Sequence, residues 1–316
     1  MAEKQGEGQV QRYLIYHATS LMKENQLLPT LQLFEQRGMP VVQEHFNIYY
    51  RLCQETFSLT EEGDQKVKYT VGQIEEAHTL LSKILIKFSA ELVELDPNSN
   101  TTKGFQNFSQ IAHLLANKPI AREHDLTETY AKLSVALLRY TNHLPVDLAF
   151  YDAGEACRDV KWNAYAFVLL NRFADICEVI DDPNSGDIEN SDFLTSDIPS
   201  PVEVEVPANH NLSEAQREEV SDYLITISTS GSSTKQDLPT RSCHSCNNDT
   251  YEAAVKCHSC STTVPACVVT GFPVLPKDQV SCRNCQRPAN RRDWNAWVTK
   301  LGTCPWCNAR QMPSYT

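Results

Sequence analysis

None of the apolar runs in this 316-residue sequence is long enough to cross a bilayer as a helix. The chain also lacks a basic excess. Its 28 Lys and Arg stand against 40 Asp and Glu, a formal charge of −12. Phosphate binding needs a basic footprint, so nucleic acid is not the expected partner of the chain as a whole. The opening stretch, Met1 to Val10, is polar and charged and has no secretory h-region. The cysteines are therefore expected to face a reducing compartment, where Cys-x-x-Cys pairs read as metal ligands. No repeat of fixed period is evident, whereas a tetratricopeptide array would recur at about 34 residues.

What is present falls into four stretches. Residues 1–180 read as helical hairpins, and apolar residues recur there at helical spacing. Examples are Leu14, Ile15, Ala18 and Leu21, then Leu28, Leu31 and Phe34, then Leu81, Ile84, Leu85, Phe88 and Leu92. Gly38 and Pro40 stop one helix, and Asp96-Pro97-Asn98 with Thr101 to Gly104 break another. Phe105 to Leu115 then reads as a short helix. Asp125 with Glu128 forms a predicted capping box. Helix pairs joined by short turns predict an α-solenoid of tetratricopeptide type. The histidines of this half and Cys53, Cys157 and Cys177 read as core or surface residues, not ligands.

Residues 181–212 read as an acidic extended linker. Asp181 to Val206 holds eight acids, three prolines and no Lys or Arg. It is either solvated or docked through Phe193-Leu194 and Ile198-Pro199. Residues 213–241 read as an amphipathic helix opened by a Ser213–Gln216 capping box, followed by a Gly/Ser/Thr-rich hinge over Ser228 to Lys235.

Residues 242–316 carry the chemistry and read as a small α+β zinc-binding module, whose first two cysteine pairs, separated by Asn247 to Lys256, suit a zinc ribbon. Four Cys-x-x-Cys pairs, Cys243/Cys246, Cys257/Cys260, Cys282/Cys285 and Cys304/Cys307, supply the ligands of two tetrahedral Cys₄ sites. The expected cofactor is two structural Zn²⁺. Closed sites leave no position for an activated water, so no catalytic metal is expected. The spacing fits both sequential and cross-braced ligation. His244 and His258 read as solvent-facing rings inside their turns. The basic residues of this stretch, with Trp294, Trp297 and Trp306, suit an acidic protein partner better than nucleic acid, since tryptophans at helical spacing form a core.

Cys267-Val-Val-Thr270, a helix with Trp297, and Cys304-Pro305 resemble the first loop, central helix and second loop of the U-box and RING families. That resemblance favours sequential ligation, with Cys267 in a metal-free first loop. It implies a groove for a ubiquitin-conjugating enzyme built on Val269, Trp297 and Pro305. Asn308 departs from the RING pattern, which often places a cation after the last ligand.

A second resemblance covers more of the chain. It rests on Leu133 to Pro145, Ala149 to Gly154, Leu170 to Phe173, Asn190 to Phe193, Asp197 to Pro199, Ala215 to Val220 and Cys267 to Pro273. These blocks resemble the C-terminal portion of the 172-kilodalton intraflagellar transport subunit family. Full-length members carry propellers that this chain does not have. The resemblance implies a non-enzymatic adaptor of the intraflagellar transport B complex, binding other transport subunits or ubiquitylated cargo, at the cilium or flagellum and basal body on the cytoplasmic side. The alternative is a ubiquitin ligase module that recruits a conjugating enzyme.

Overall fold

The structure is a computed structural model and describes residues 2–61, 67–184, 188–229 and 237–315, with side chains from residue 8 onward. It is mainly helical, and two small antiparallel sheets lie near the C-terminal end. The helices are α1 (Ala2–Lys23), α2 (Leu27–Arg37), α3 (Phe46–Phe57), α4 (Val71–Leu95), α5 (Asn100–Glu123), α6 (Thr127–Leu137), α7 (Val146–Asp159), α8 (Asn163–Asp181), α9 (Glu214–Thr229) and α10 (Arg291–Leu301). The strands are β1 (Thr240–Ser242), paired with β2 (Asp249–Tyr251), and β3 (Gln279–Ser281), paired with β4 (Pro288–Asn290). No helix is long and apolar enough to cross a membrane among the described residues.

The chain divides into two compact units, Met1–Ala116 and Asn117–Thr316. In the first, α1 packs on α2, and α2 and α3 pack on α4. The core is aromatic: Tyr49 meets Phe34 and Phe88 edge-on, and Phe105 meets Phe46 and Phe88 in the same way. Thr70 and Gln73 close a capping box at the start of α4, and Gly38, at φ 80°, ends α2.

Two breaks expected from sequence are not where the composition suggested. Thr101 to Gly104 lies inside α5 rather than before it. The Ser99 hydroxyl accepts the Thr102 N–H at 3.0 Å and so starts the helix, and Gly104 leaves room for the Tyr50 ring, whose hydroxyl would lie 2.8 Å from an added Cβ. The predicted short helix over Phe105 to Leu115 is thus the middle of a 24-residue one. The Asp125–Glu128 capping box does not form. Asp125 takes a left-handed φ of 55° and closes α5, with the Leu126 N–H reaching back to the Ala121 carbonyl at 2.9 Å. Glu128 is instead drawn to Lys132 and Arg292.

In the second unit α6, α7 and α8 pack in sequence and α9 lies on α8. The α7–α8 contact is close because Gly154 offers no side chain. A Cβ there would stand 2.5 Å from Leu170 Cγ. Leu170 is fully buried and has nowhere to retreat. Gly154→Ala should therefore destabilise by about 1–3 kcal/mol through overpacking, outweighing the helix-propensity gain of roughly 1 kcal/mol. Urea denaturation checks this, and a more stable variant would contradict the tight crossing. The Ser213–Gln216 capping box forms as expected, with N–H bonds in both directions at 3.1 and 3.4 Å. Only Val220 of α9 is fully buried, and Ile225 is exposed. Most of the predicted hinge falls at 230–236, outside the described residues.

The acidic stretch after α8 docks as a strap. Phe193 is buried edge-on against Phe150, with the Arg172 guanidinium 4.3 Å from its ring centre. Arg172 Nη2 donates to the Glu189 carbonyl at 2.6 Å, pinning the strap at that point. Ile198 is also buried, while Leu194 is exposed. Burying two such apolar side chains contributes roughly 1.5–3 kcal/mol each. Asp187 of this stretch lies outside the described residues.

Candidate metal centres

The backbone of the cysteine-bearing stretch is one turn used five times. In each, the cysteine N–H donates to the carbonyl five residues on, and the N–H four residues on donates back to the cysteine carbonyl, all at 2.7–3.0 Å. The turns begin at Cys243, Cys257, Cys267, Cys282 and Cys304. The fifth residue of each has positive φ: Asn247, Ser261, Gly271, Gln286 and Asn308, at 55–74°. Each turn is closed by an antiparallel pairing of the residue before the cysteine with the residue six after it. β1–β2 and β3–β4 close two of them, and the single bridges Lys256↔Thr263, Ala266↔Pro273 and Thr303↔Arg310 close the rest. This closure aims the side chains of the first and fourth residues to the same side.

Four of the turns carry a cysteine at both places, and the structure brings them together two by two. Cys243, Cys246, Cys257 and Cys260 form one group; Cys282, Cys285, Cys304 and Cys307 form the other, with all sulfurs of a group within 4.8 Å of one another. Grouping is sequential, first pair with second and third with fourth. The Sγ–Sγ separations are 3.7 Å for Cys243–Cys260, 3.8 Å for Cys246–Cys257, 3.7 Å for Cys282–Cys307 and 3.9 Å for Cys285–Cys304. A disulfide needs about 2.05 Å. A tetrahedron with metal–sulfur bonds of about 2.3 Å has edges near 3.8 Å. The donor set therefore fits one four-coordinate ion per group. Amide N–H groups already point at the sulfurs, Ser245 to Cys243 at 3.5 Å and Asn284 to Cys282 at 3.4 Å, and would offset thiolate charge. His244 and His258 belong to neither group and are exposed.

The two groups differ in surroundings. Cys260 is exposed, and bonds with the Thr262 hydroxyl and N–H hold its thiol down to about 6. Burial and neighbouring thiols push Cys285 up to about 11. Above the second group, Arg287 stacks 3.3 Å from the centre of the Trp306 ring, a fixed cation beside the sulfurs.

The turn at Cys267 was legible only as a metal-free first loop, and what replaces the metal was missed. Thr270 holds the second ligand place. Its hydroxyl donates to Asp293 Oδ2 at 3.0 Å, and the Asn290 N–H donates to Cys267 Sγ at 3.4 Å. Lys132, from α6, donates to Asp293 Oδ1 at 2.7 Å and pairs with Glu128 at 3.0 Å. Burial pulls the Lys132 ammonium down, but Asp293 and Glu128 outweigh it and the net direction is up. A lysine cation thus does at this turn what a metal ion would do at the other four. The sequence signal was Thr-Gly after Cys-x-x, which keeps the turn while dropping one sulfur.

The same face is held at further points. Arg139 donates through Nη2 to the Gly271 carbonyl and lies 3.7 Å from Asp197 of the strap. Asp197 Oδ2 accepts the N–H groups of Val255 at 2.8 Å and Lys256 at 3.4 Å, just before Cys257. The Thr195 carbonyl accepts the Tyr251 N–H at 3.1 Å. Asp197, one of the eight acids of that stretch, is therefore largely covered and structural, as the docked reading of the stretch expects. Of the residues expected to line a groove, Val269 is 0% exposed and Trp297 2%, and only Pro305 is partly open. In this arrangement the first two serve as core.

No family model matches the chain. Curated proteins do. The chain is 33% identical over 309 residues, 97% of its length, to the intraflagellar transport protein 172 homolog of Danio rerio. It is 32% identical over 303 residues, 96% of its length, to the Homo sapiens homolog. It is 32% identical over 320 aligned positions, 100% of its length, to intraflagellar transport protein 172 of Chlamydomonas reinhardtii. The chain is homologous to part of intraflagellar transport protein 172. It spans 16–18% of the length of these relatives. Similarity to intraflagellar transport protein 172 thus takes in both units, including the first, where none of the blocks read from sequence lies.

Proposed function

We propose that this chain is the C-terminal portion of an intraflagellar transport subunit and acts as a non-enzymatic scaffold in the cilium or flagellum. The observation that carries the reading is the homology over nearly the whole chain to proteins named for intraflagellar transport. Its helices form a solenoid of hairpins, and its two tetracysteine groups each hold a structural Zn²⁺. The eight cysteines Cys243, Cys246, Cys257, Cys260, Cys282, Cys285, Cys304 and Cys307 are the ligands. What supports zinc is the donor chemistry, four sulfurs at tetrahedral spacing. Four sulfurs complete the shell, so the ion shapes the surface and binds no substrate. Partners are other components of the transport machinery, met on the cytoplasmic side of the cilium and at the basal body.

The test is purification of the tagged chain from ciliated cells. Transport components should co-purify with it, and the tag should be found in cilia and basal bodies. A chain excluded from cilia and free of transport components would overturn the reading.

A further inference from the structure

The chain carries a charge of −12, yet residues 279–315 run the other way, with six cations against the single carboxylate Asp293. A divalent ion on four thiolates would add about −2 and leave the segment positive. Two of those cations are engaged: Arg292 pairs with Glu128 and Arg287 stacks on Trp306. Asp293 is occupied by Lys132. Arg283, Lys300 and Arg310 are exposed, and none forms an ion pair among the described residues.

The backbone gathers these three at one end of the unit. The Arg283 N–H donates to Gln311 Oε1 at 3.4 Å, and the Gln311 N–H donates to the Gly302 carbonyl at 2.9 Å. Thr303 pairs with Arg310 across an antiparallel bridge, and Lys300 lies in the last turn of α10, two residues before Gly302. From there the chain runs back along α10: Trp294 Nε1–H donates to the Met312 carbonyl at 3.4 Å and the Ser314 N–H donates to Asn295 Oδ1 at 2.7 Å, leaving Met312 and Tyr315 78% and 80% exposed. Few other large apolar side chains among the described residues are as open, and these two follow Arg310 on a short segment that an extended partner can span.

We propose that this face docks an acidic, extended segment of a partner protein, with an apolar or aromatic side chain seated on Met312 and Tyr315. Charge complementarity selects the partner's sign. The patch is short, and a Debye length of about 8 Å confines its pull to a segment of similar extent. A long polyanion would extend past this patch along a chain whose net charge is −12. Trp306, the aromatic that could stack on a base, is already covered by Arg287, which argues against single-stranded nucleic acid.

The test uses the full chain with its metal and a fluorescein-labelled dodecapeptide of Glu and Asp with one Leu and one Phe. Fluorescence anisotropy should show binding that weakens as salt rises. The variant Arg283→Glu/Lys300→Glu/Arg310→Glu should bind at least about tenfold more weakly, with zinc content and melting temperature unchanged. Should that variant not fold, Arg310→Glu alone, expected to weaken binding a few-fold, probes the same face. Absence of peptide binding to the wild type, equal binding by the variants, or tighter binding of oligo-dT or phosphatidylserine vesicles than of the peptide would overturn the proposal. The proposal needs the second tetracysteine group folded but not zinc in particular, so metal analysis of the same samples distinguishes a failure of the zinc reading from a failure of the patch.

Discussion

Chelating the metal should erase the near-ultraviolet circular dichroism of Trp294 and Trp297 while most of the far-ultraviolet helical signal survives. Each strand in this region is three residues long, and the two sheets have two strands each. Such hairpins are marginal alone. The second tetracysteine group ties the β3–β4 turn, Cys282 and Cys285, to the turn after α10, Cys304 and Cys307. Without it, the far end of α10 loses its tie to the hairpin, while its start keeps the Lys132–Asp293 pair. Binding of a structural zinc is worth on the order of 10–16 kcal/mol in small modules, and that binding energy is folding energy. Elemental analysis should give two zinc ions per chain, and Cys282→Ser should lower that to one. A wild-type content of one or none would contradict the two-site reading. Protons compete for thiolates, so zinc should be lost as pH falls.

Lys132→Met should cost about 3–5 kcal/mol, because it strands a buried carboxylate. Asp293 has 6% of its side chain exposed, and its other oxygen is fixed on Thr270. Among the described residues Lys132 is the cation paired with this carboxylate, and Arg292, next to it in sequence, is held by Glu128. Asp293→Asn should cost less, since the amide keeps the shape and sheds the charge. The double variant should recover part of the single Lys132→Met loss, a favourable coupling of the kind only neighbours show. Urea denaturation followed by tryptophan fluorescence reads all three, with Trp294 adjacent in sequence to Asp293. A Lys132→Met chain within about 0.5 kcal/mol of wild type would mean that the ion pair contributes little to holding this face.

The two predictions mark the limits of what the sequence made legible. Helices were read well where apolar residues recur, as at Leu81, Ile84, Leu85 and Phe88, because a 3.6-residue stripe needs no tertiary knowledge. Starts and stops were read less well. Gly104 looked like a breaker because its partner, Tyr50, is 54 positions away in the chain. Asp125 looked like an N-cap because its left-handed backbone has no sequence mark. The eight cysteines were legible because both members of each pair lie on one turn. The turn at Cys267 was legible only in part: its cation sits 161 residues from its carboxylate, so no local pattern could pair them. Asp197 shows the same limit, an acid among acids until Val255, Lys256 and Arg139 surround it.

The Cys267 turn has a consequence for supply. With zinc in both tetracysteine groups, as proposed, four of the five turns would depend on an ion that a cell must deliver and can withdraw. The fifth depends on an ammonium group made with the chain, and so is indifferent to metal scarcity. When zinc runs short, the corner between α6 and the start of α10 has what it needs to stay in register, and the loosened turns remain anchored beside their own sockets. Recharging with metal is then a local rearrangement at a fixed address, with a rate that should follow the ion concentration and not the concentration of the chain.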